Sequence, residues 1–296
     1  MMRQMLKILL IFSFLFFILG CDAKKPPKEV DLDLIYDVVT PYNEQNTTAP
    51  YSHKKFQDVL NQANYQYPHS VTIVDHGAYD GYKTDAFYVD ANGDWYFTLN
   101  KEHNTTKERS ELRQVCKDPK TGQYTVNAGW KTSDKEGNFW IADVRCFKPK
   151  ETQSYTWMQV HGVNGMDITL NDGTVVKSFN YPIIRLTWER YRDGVYDHLW
   201  AIVIVSAPRT PKIYEWIDLG ERPDHFFHTE VHFQDNILKV IVDGNVMASY
   251  DVTYWEEEVN YFKAGIYINR FDDGGEGVVA YRELHFDHNS SHIVKD

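Results

Sequence analysis

The chain has 296 residues with 31 Lys and Arg against 42 Asp and Glu, a net charge of -11. That balance argues against non-specific nucleic-acid binding and weighs mildly against a polyanionic ligand unless cations are gathered locally in a cleft. Without an N-terminal leader about 275 residues remain, a length that suits one large all-β domain with a substantial core.

Arg3 and Lys7 precede an apolar run from Ile8 to Leu19, broken only by Ser13, and then Gly20-Cys21. The run is shorter than the roughly 20 residues of a membrane span. It has the basic start, apolar middle and small residue before the cut that mark an export signal. Ile18-Leu19-Gly20-Cys21 resembles a bacterial lipobox. Residues 1–21 are therefore expected to be a lipoprotein signal, with Cys21 as the lipid-bearing first residue of an exported chain held at a bacterial membrane, on its periplasmic face or at the cell surface. Ordinary cleavage and release is the alternative. Residues 22–50, opening with Lys24-Lys25-Pro26-Pro27-Lys28, have the texture of a tether. Residues 51–296 are expected to form a single catalytic domain, acting as a monomer.

Only 53–64 carries a helical pattern, with Phe56, Val59, Leu60 and Ala63 on one face. Beyond it, runs rich in β-branched and aromatic residues dominate: 86–90, 95–99, 155–161, 183–188, 199–205 and 237–242. Turn signals such as Asp90-Ala-Asn-Gly, Asn171-Asp-Gly and Asp243-Gly-Asn separate the runs. The last of these joins 237–242 to 246–250 as a hairpin. Many short strands without alternating helices imply a sandwich, barrel or jelly roll. If Cys21 carries lipid, Cys116 and Cys146 remain as a pair in an oxidising compartment. A disulfide between them is one reading and two separate buried thiols the other.

The residues that carry chemistry emerge when strands are read with their period of two. In Arg109-Ser-Glu-Leu-Arg113 this places Arg109, Glu111 and Arg113 on one face; in 155–161 it aligns Tyr155, Trp157, Gln159 and His161. Aromatic faces pack on pyranose rings and amides bond hydroxyls or carboxylates, so that second set suits a sugar. In 261–267 it aligns Tyr261, Lys263, Gly265 and Tyr267, with the glycine leaving room for a ligand to approach the sheet.

Arg109-Ser-Glu-Leu-Arg113, Gln159-Val-His161 and Tyr261-Phe-Lys-Ala-Gly-Ile-Tyr267 resemble, in order and spacing, the three signature motifs of polysaccharide lyase family 7, the alginate lyases. The resemblance implies a β-jelly roll, two sheets with a concave substrate groove, that cleaves alginate by β-elimination without a cofactor. By that resemblance Arg109 and Gln159, with His161 nearby, neutralise the uronate carboxylate, and Tyr267 protonates the leaving oxygen. The base is Tyr267 on mannuronate and His161 on guluronate. Glu111, Arg113, Tyr155, Trp157, Tyr261, Lys263 and Asn269 are the expected substrate contacts; Asn269 stands where the family commonly has glutamine. A phenol with a pKa of about 10 needs a cationic environment to act as a base near neutrality, which Lys263, Arg109 and Arg113 are expected to supply. Valine at position 160 resembles family members that favour mannuronate, so a mannuronate lean is expected.

Two constellations read differently. His228, Glu230 and His232 share one strand face, which suits either zinc or iron or, as the plainer reading, a polar outer face; no metal is assigned. Asp272-Asp-Gly-Gly-Glu276 is too short for an EF-hand loop and reads as a turn. A glycoside hydrolase would need two carboxylates flanking the scissile bond, and a carbohydrate-binding module would need neither Tyr267 nor His161.

Overall fold

The computed structural model describes residues 37, 39, 42–102, 106–163, 165, 167–270 and 273–293. Cys21 with the leader, and Asp272, lie outside them. Strand alternation builds two antiparallel sheets. The front sheet runs in the order Tyr214–Glu221, Val195–Ile204, Pro182–Arg192, Ser154–Gly162, Asn260–Ile268, Glu108–Gln114, Ala63–Gln66, Thr72–Val74. The back sheet runs Asn245–Asp251, Ile237–Val242, Phe227–Gln234, Asn138–Cys146, Gly275–His288, Trp95–Lys101, Phe87–Val89. At the centre of each sheet, strands adjacent in space are distant in sequence, as in a jelly roll. Trp95, Trp140, Trp157, Trp188 and Tyr281 fill the space between the sheets, each at most 1% exposed. The expected fold class holds.

The helix is shorter than its pattern. It spans Lys54–Leu60 and buries Phe56, Val59 and Leu60. Ala63, counted on the same helical face, instead opens a strand, because Ala63 to Gln66 pair with Gln114 to Glu111 and Tyr65 is drawn into a cluster with Phe87 and Phe97. Pairing and aromatic burial override a weak helical preference. The Asp243-Gly244 hairpin forms as expected, with φ of 47° and 77° at its two central residues. These left-handed values mark the tight turn that matches strand twist.

Part of the segment read as a tether is fastened to the domain. Asp37 accepts from the backbone N–H of Lys148 at 2.8 Å and pairs with Arg222 at 3.0 Å. Tyr42 packs edge-on against Tyr88, and Thr48 bridges Val89. A spacer reaching to Pro50 is therefore too long.

The disulfide does not form: both Cys116 and Cys146 are free, buried thiols. Cys116 Sγ lies 3.9 Å from His288 Nε2, and His288 pairs with Asn138 at one end of the strand whose other end is Cys146. Eight residues of strand separate those positions by about 26 Å, far beyond the span a disulfide bridges.

His228, Glu230 and His232 do share the outer face of the back sheet. Glu230 is spent on the two imidazoles, Oε1 to His228 Nε2 at 2.9 Å and Oε2 to His232 Nε2 at 2.5 Å, and Asp143 takes His228 Nδ1 at 2.7 Å. The hydrogen bond that His228 Nδ1 donates to Asp143 holds the imidazole above its ordinary pKa. Among the described residues no cluster of three or more His, Cys, Asp or Glu is arranged to hold a metal ion.

Candidate active site

The three motif strands are neighbours in the front sheet: Ser154–Gly162, Asn260–Ile268 and Glu108–Gln114. Register places Tyr267 opposite Arg109, Lys263 opposite both Arg113 and Gln159, and Tyr261 opposite His161. Alternation sends Ser110 and Leu112 inward, where Ser110 meets the Tyr65 hydroxyl at 2.7 Å, and turns Arg109, Glu111 and Arg113 outward. The result is a groove of about 750 Å³ crossing the strands, lined by Arg109, Arg113, Gln159, His161, Tyr261, Lys263, Tyr267 and Asn269.

Glu111 organises the floor. It is 2% exposed. Its Oε1 accepts from Gln159 Nε2 at 2.5 Å, and its Oε2 accepts from Arg109 Nη1 at 3.0 Å and Lys263 Nζ at 2.5 Å. A carboxylate with both oxygens engaged by three donors positions those donors. It does not line the groove, where the sequence placed it as a sugar contact. Lys263 Nζ also reaches Gln66 Oε1 at 3.2 Å. The guanidinium of Arg109 lies over the Tyr267 ring at 4.2 Å and that of Arg113 over Tyr261 at 4.1 Å, contacts that orient both phenols.

Tyr155 and Trp157 are not in the groove. Both point into the core, Tyr155 stacked on Trp188 and Trp157 against Trp140. The cause is a bulge between Thr156 and Met158 that reverses the alternation: Met158 and Val160 also point inward, while Gln159 and His161 point outward. The Tyr281 hydroxyl from the back sheet serves the bulge, donating to Trp157 O at 2.6 Å and accepting from Gly265 N–H at 3.1 Å. Gly265 has φ of 131°, and a Cβ there would lie 2.3 Å from Ser110 O. This glycine makes room for the neighbouring strand, not for a ligand.

No Asp or Glu is among the described residues lining the groove, whereas Lys107, Arg109, Arg113, Arg185 and Lys263 are. The acidic chain has gathered its cations here, and a two-carboxylate hydrolase has no acids to work with. The family model described as alginate lyase matches residues 59–290. The chain belongs to the alginate lyase family. An alginate lyase of Photobacterium sp. is 26% identical over 240 residues, covering 72% of this chain and 75% of the relative. Among solved structures, alginate lyase AlyC3 is 20% identical with a TM-score of 0.65, covering 84% of this chain and 99% of that one. Alginate lyase A1-II', a member of polysaccharide lyase family 7, is 20% identical with a TM-score of 0.58, covering 81% and 99%. These two likenesses place the sandwich with the family's fold.

Ionisation in this alginate lyase follows from burial. Burial, then the Lys263 charge, pushes the His161 imidazole down to about 3, so the ring is neutral at working pH. Its Nδ1 donates to Gly162 O at 2.8 Å, which leaves Nε2 as the lone-pair nitrogen. Burial and the Arg109 charge push Lys263 down to about 7, against the pull of Glu111. The Tyr267 phenol is raised because burial outweighs the cations Arg109 and Arg185. That reverses the expectation from sequence: burial keeps the phenol protonated, with a proton available to donate, and the cations only moderate the rise.

A pH dependence follows. His161 is already in its basic form above about pH 3, so it imposes no acid limb at moderate pH. Lys263 loses its charge as pH rises through about 7, so the KM for alginate is expected to rise from there upward. Steady-state kinetics across that range check it; a KM flat from about pH 6 to 9 contradicts it.

Gln66, Tyr214 and Arg185 also line the groove and stand outside the motifs. For Arg185 a signal was present: strand alternation puts Arg185 and Thr187 on the face opposite Ile184, Leu186 and Trp188.

Proposed function

We propose that this enzyme cleaves 1,4-linked uronate chains by β-elimination, with Arg109, Gln159, His161 and Tyr267 as the catalytic set. What carries the proposal is their convergence in one cation-lined groove without acids. The C5 proton is weakly acidic because the adjacent carboxylate resists a second developing charge, so that carboxylate must be neutralised first. Arg109 Nε is buried without a partner, and the Gln159 amide has a second N–H beyond the one given to Glu111. Both are donors suited to an enolate-like transition state. On guluronate, His161 Nε2 takes the C5 proton, the C4=C5 bond forms as the C4–O4 bond breaks, and the Tyr267 phenol protonates O4. On mannuronate, proton and leaving oxygen lie on the same side. Tyr267 acts there as the phenolate, its own proton released to solvent before the chain binds: it takes the C5 proton, the C4=C5 bond forms as the C4–O4 bond breaks, and the proton just taken passes to O4; the Arg109 guanidinium over the ring favours that form against burial.

We further propose a mannuronate lean. Val160 lies fully buried behind the sheet between Gln159 and His161, so it acts only through packing that shifts the two. A methylene's difference there is worth about 1 kcal/mol, a preference of several-fold and not an exclusion. Initial rates on purified polymannuronate and polyguluronate test it: faster polymannuronate cleavage is expected, and a clear guluronate preference contradicts it. As part of the same proposal Cys21 bears lipid. The exported protein then partitions with membranes, and Cys21→Ser abolishes that partitioning.

A further inference from the structure

We propose that Arg185, outside all three motifs, anchors the carboxylate of the uronate unit adjacent to the one whose C5 proton is removed. The inference rests on the lyase reading above and extends it by one sugar.

Arg185 lies directly opposite Gln159 on the next strand and lines the same groove. One strand spacing, about 4.8 Å, is of the order of the advance of one pyranose unit along an extended 1,4-linked chain. The groove crosses the strands, with lining residues from Thr72 at one edge of the sheet to Tyr214 at the other. A chain seated with one carboxylate at Arg109 and Gln159 therefore carries its neighbour over the strand of Arg185.

The commitments of the groove's cations single Arg185 out. Arg109 is bonded to Glu111, Arg113 donates to Val126 O at 3.0 Å, and Lys263 is held by Glu111 and Gln66. The side chain of Arg185 makes no hydrogen bond or ion pair with another described residue. Glu189, two residues beyond Thr187 on the same face, is paired with Arg270 at 3.0 Å. Burial pulls the Arg185 guanidinium below its ordinary pKa, while Tyr214, Tyr267 and Glu189 oppose that. A guanidinium partly withdrawn from water with no ion pair of its own is costly, and an incoming carboxylate offsets the cost with two parallel N–H···O bonds.

The neighbouring rung is undersatisfied in the same way. Thr156 stands opposite both Tyr267 and Thr187, and the hydroxyls of Thr156 and Thr187 are buried without a partner. Unpartnered polar groups thus lie on the side of Tyr267 away from Arg109, beneath the lining residues of the groove, on the side where the proposal seats the adjacent unit.

The test is affinity measured apart from turnover. In Tyr267→Phe protein, the Kd for a saturated alginate hexasaccharide is measured by calorimetry, alone and with Arg185→Met. Arg185→Met is expected to weaken binding at least tenfold, about 1.4 kcal/mol, and Arg185→Lys to recover only part, since an ammonium lacks the paired donors. With Tyr267 intact, Arg185→Met is expected to raise KM about tenfold and change kcat less than about threefold. Unchanged affinity in an Arg185→Met protein of native circular dichroism overturns the proposal, as does a fall in kcat with Kd unchanged, which would make Arg185 a modulator of Tyr267. Should Arg185→Met not fold, full wild-type affinity in Arg185→Lys overturns it instead. If the wild-type protein yields no unsaturated product from alginate, the lyase reading fails, whatever the affinities show.

Discussion

Tyr267→Phe is expected to lower kcat on alginate at least 100-fold, the contribution of general acid–base catalysis at its lower end, while oligosaccharide affinity changes less than about threefold. The substitution deletes the oxygen that moves the proton and almost no volume. The ring remains under the Arg109 guanidinium, and its strand stays paired on both sides, so circular dichroism and melting temperature are expected to hold. Retention of more than about a tenth of wild-type kcat would remove Tyr267 from its role.

Glu111→Gln is expected to damage stability and activity together. Glu111 is the counter-ion to Arg109 and Lys263 and the acceptor for Gln159. An amide keeps the shape but leaves two buried cations facing each other without a neutralising charge. Breaking a buried ion pair from one side costs about 3 to 5 kcal/mol, read as a lower urea midpoint at constant m-value. Turnover is expected to fall about 100-fold, because Arg109 and Gln159 both lose the group that aims them. Adding Lys263→Met, which removes one stranded cation, is expected to restore part of the stability. An unchanged midpoint would mean that Glu111 does not hold this site together.

Much of the groove was legible because strands carry a period of two and the three motifs fall on neighbouring strands. Arg109, Arg113, Gln159, His161, Tyr261, Lys263, Tyr267 and Asn269 all reach it. What failed has a common cause: alternation says nothing of bulges. A single bulge at Trp157 sent Tyr155 and Trp157 into the core. Alternation correctly put Glu111 among the outward residues, yet depth on a concave sheet depends on which long side chains cross above it, and Glu111 lies beneath Arg109 and Lys263. The phenol of Tyr267 was expected to be acidified by nearby cations, but burial is the larger influence and only the folded sheet sets it. Cys116 and Cys146 were the only pair left to each other by count, and the strand between them holds them apart.

The central claim, elimination at this groove, is most directly tested by following alginate cleavage with two readouts at once: ultraviolet absorbance from the C4=C5 double bond and the appearance of new reducing ends. A lyase forms one unsaturated terminus for every new reducing end, so the two are expected to rise in a one-to-one ratio and to vanish together in Tyr267→Phe. Reducing ends without absorbance would mean hydrolysis and would contradict the account.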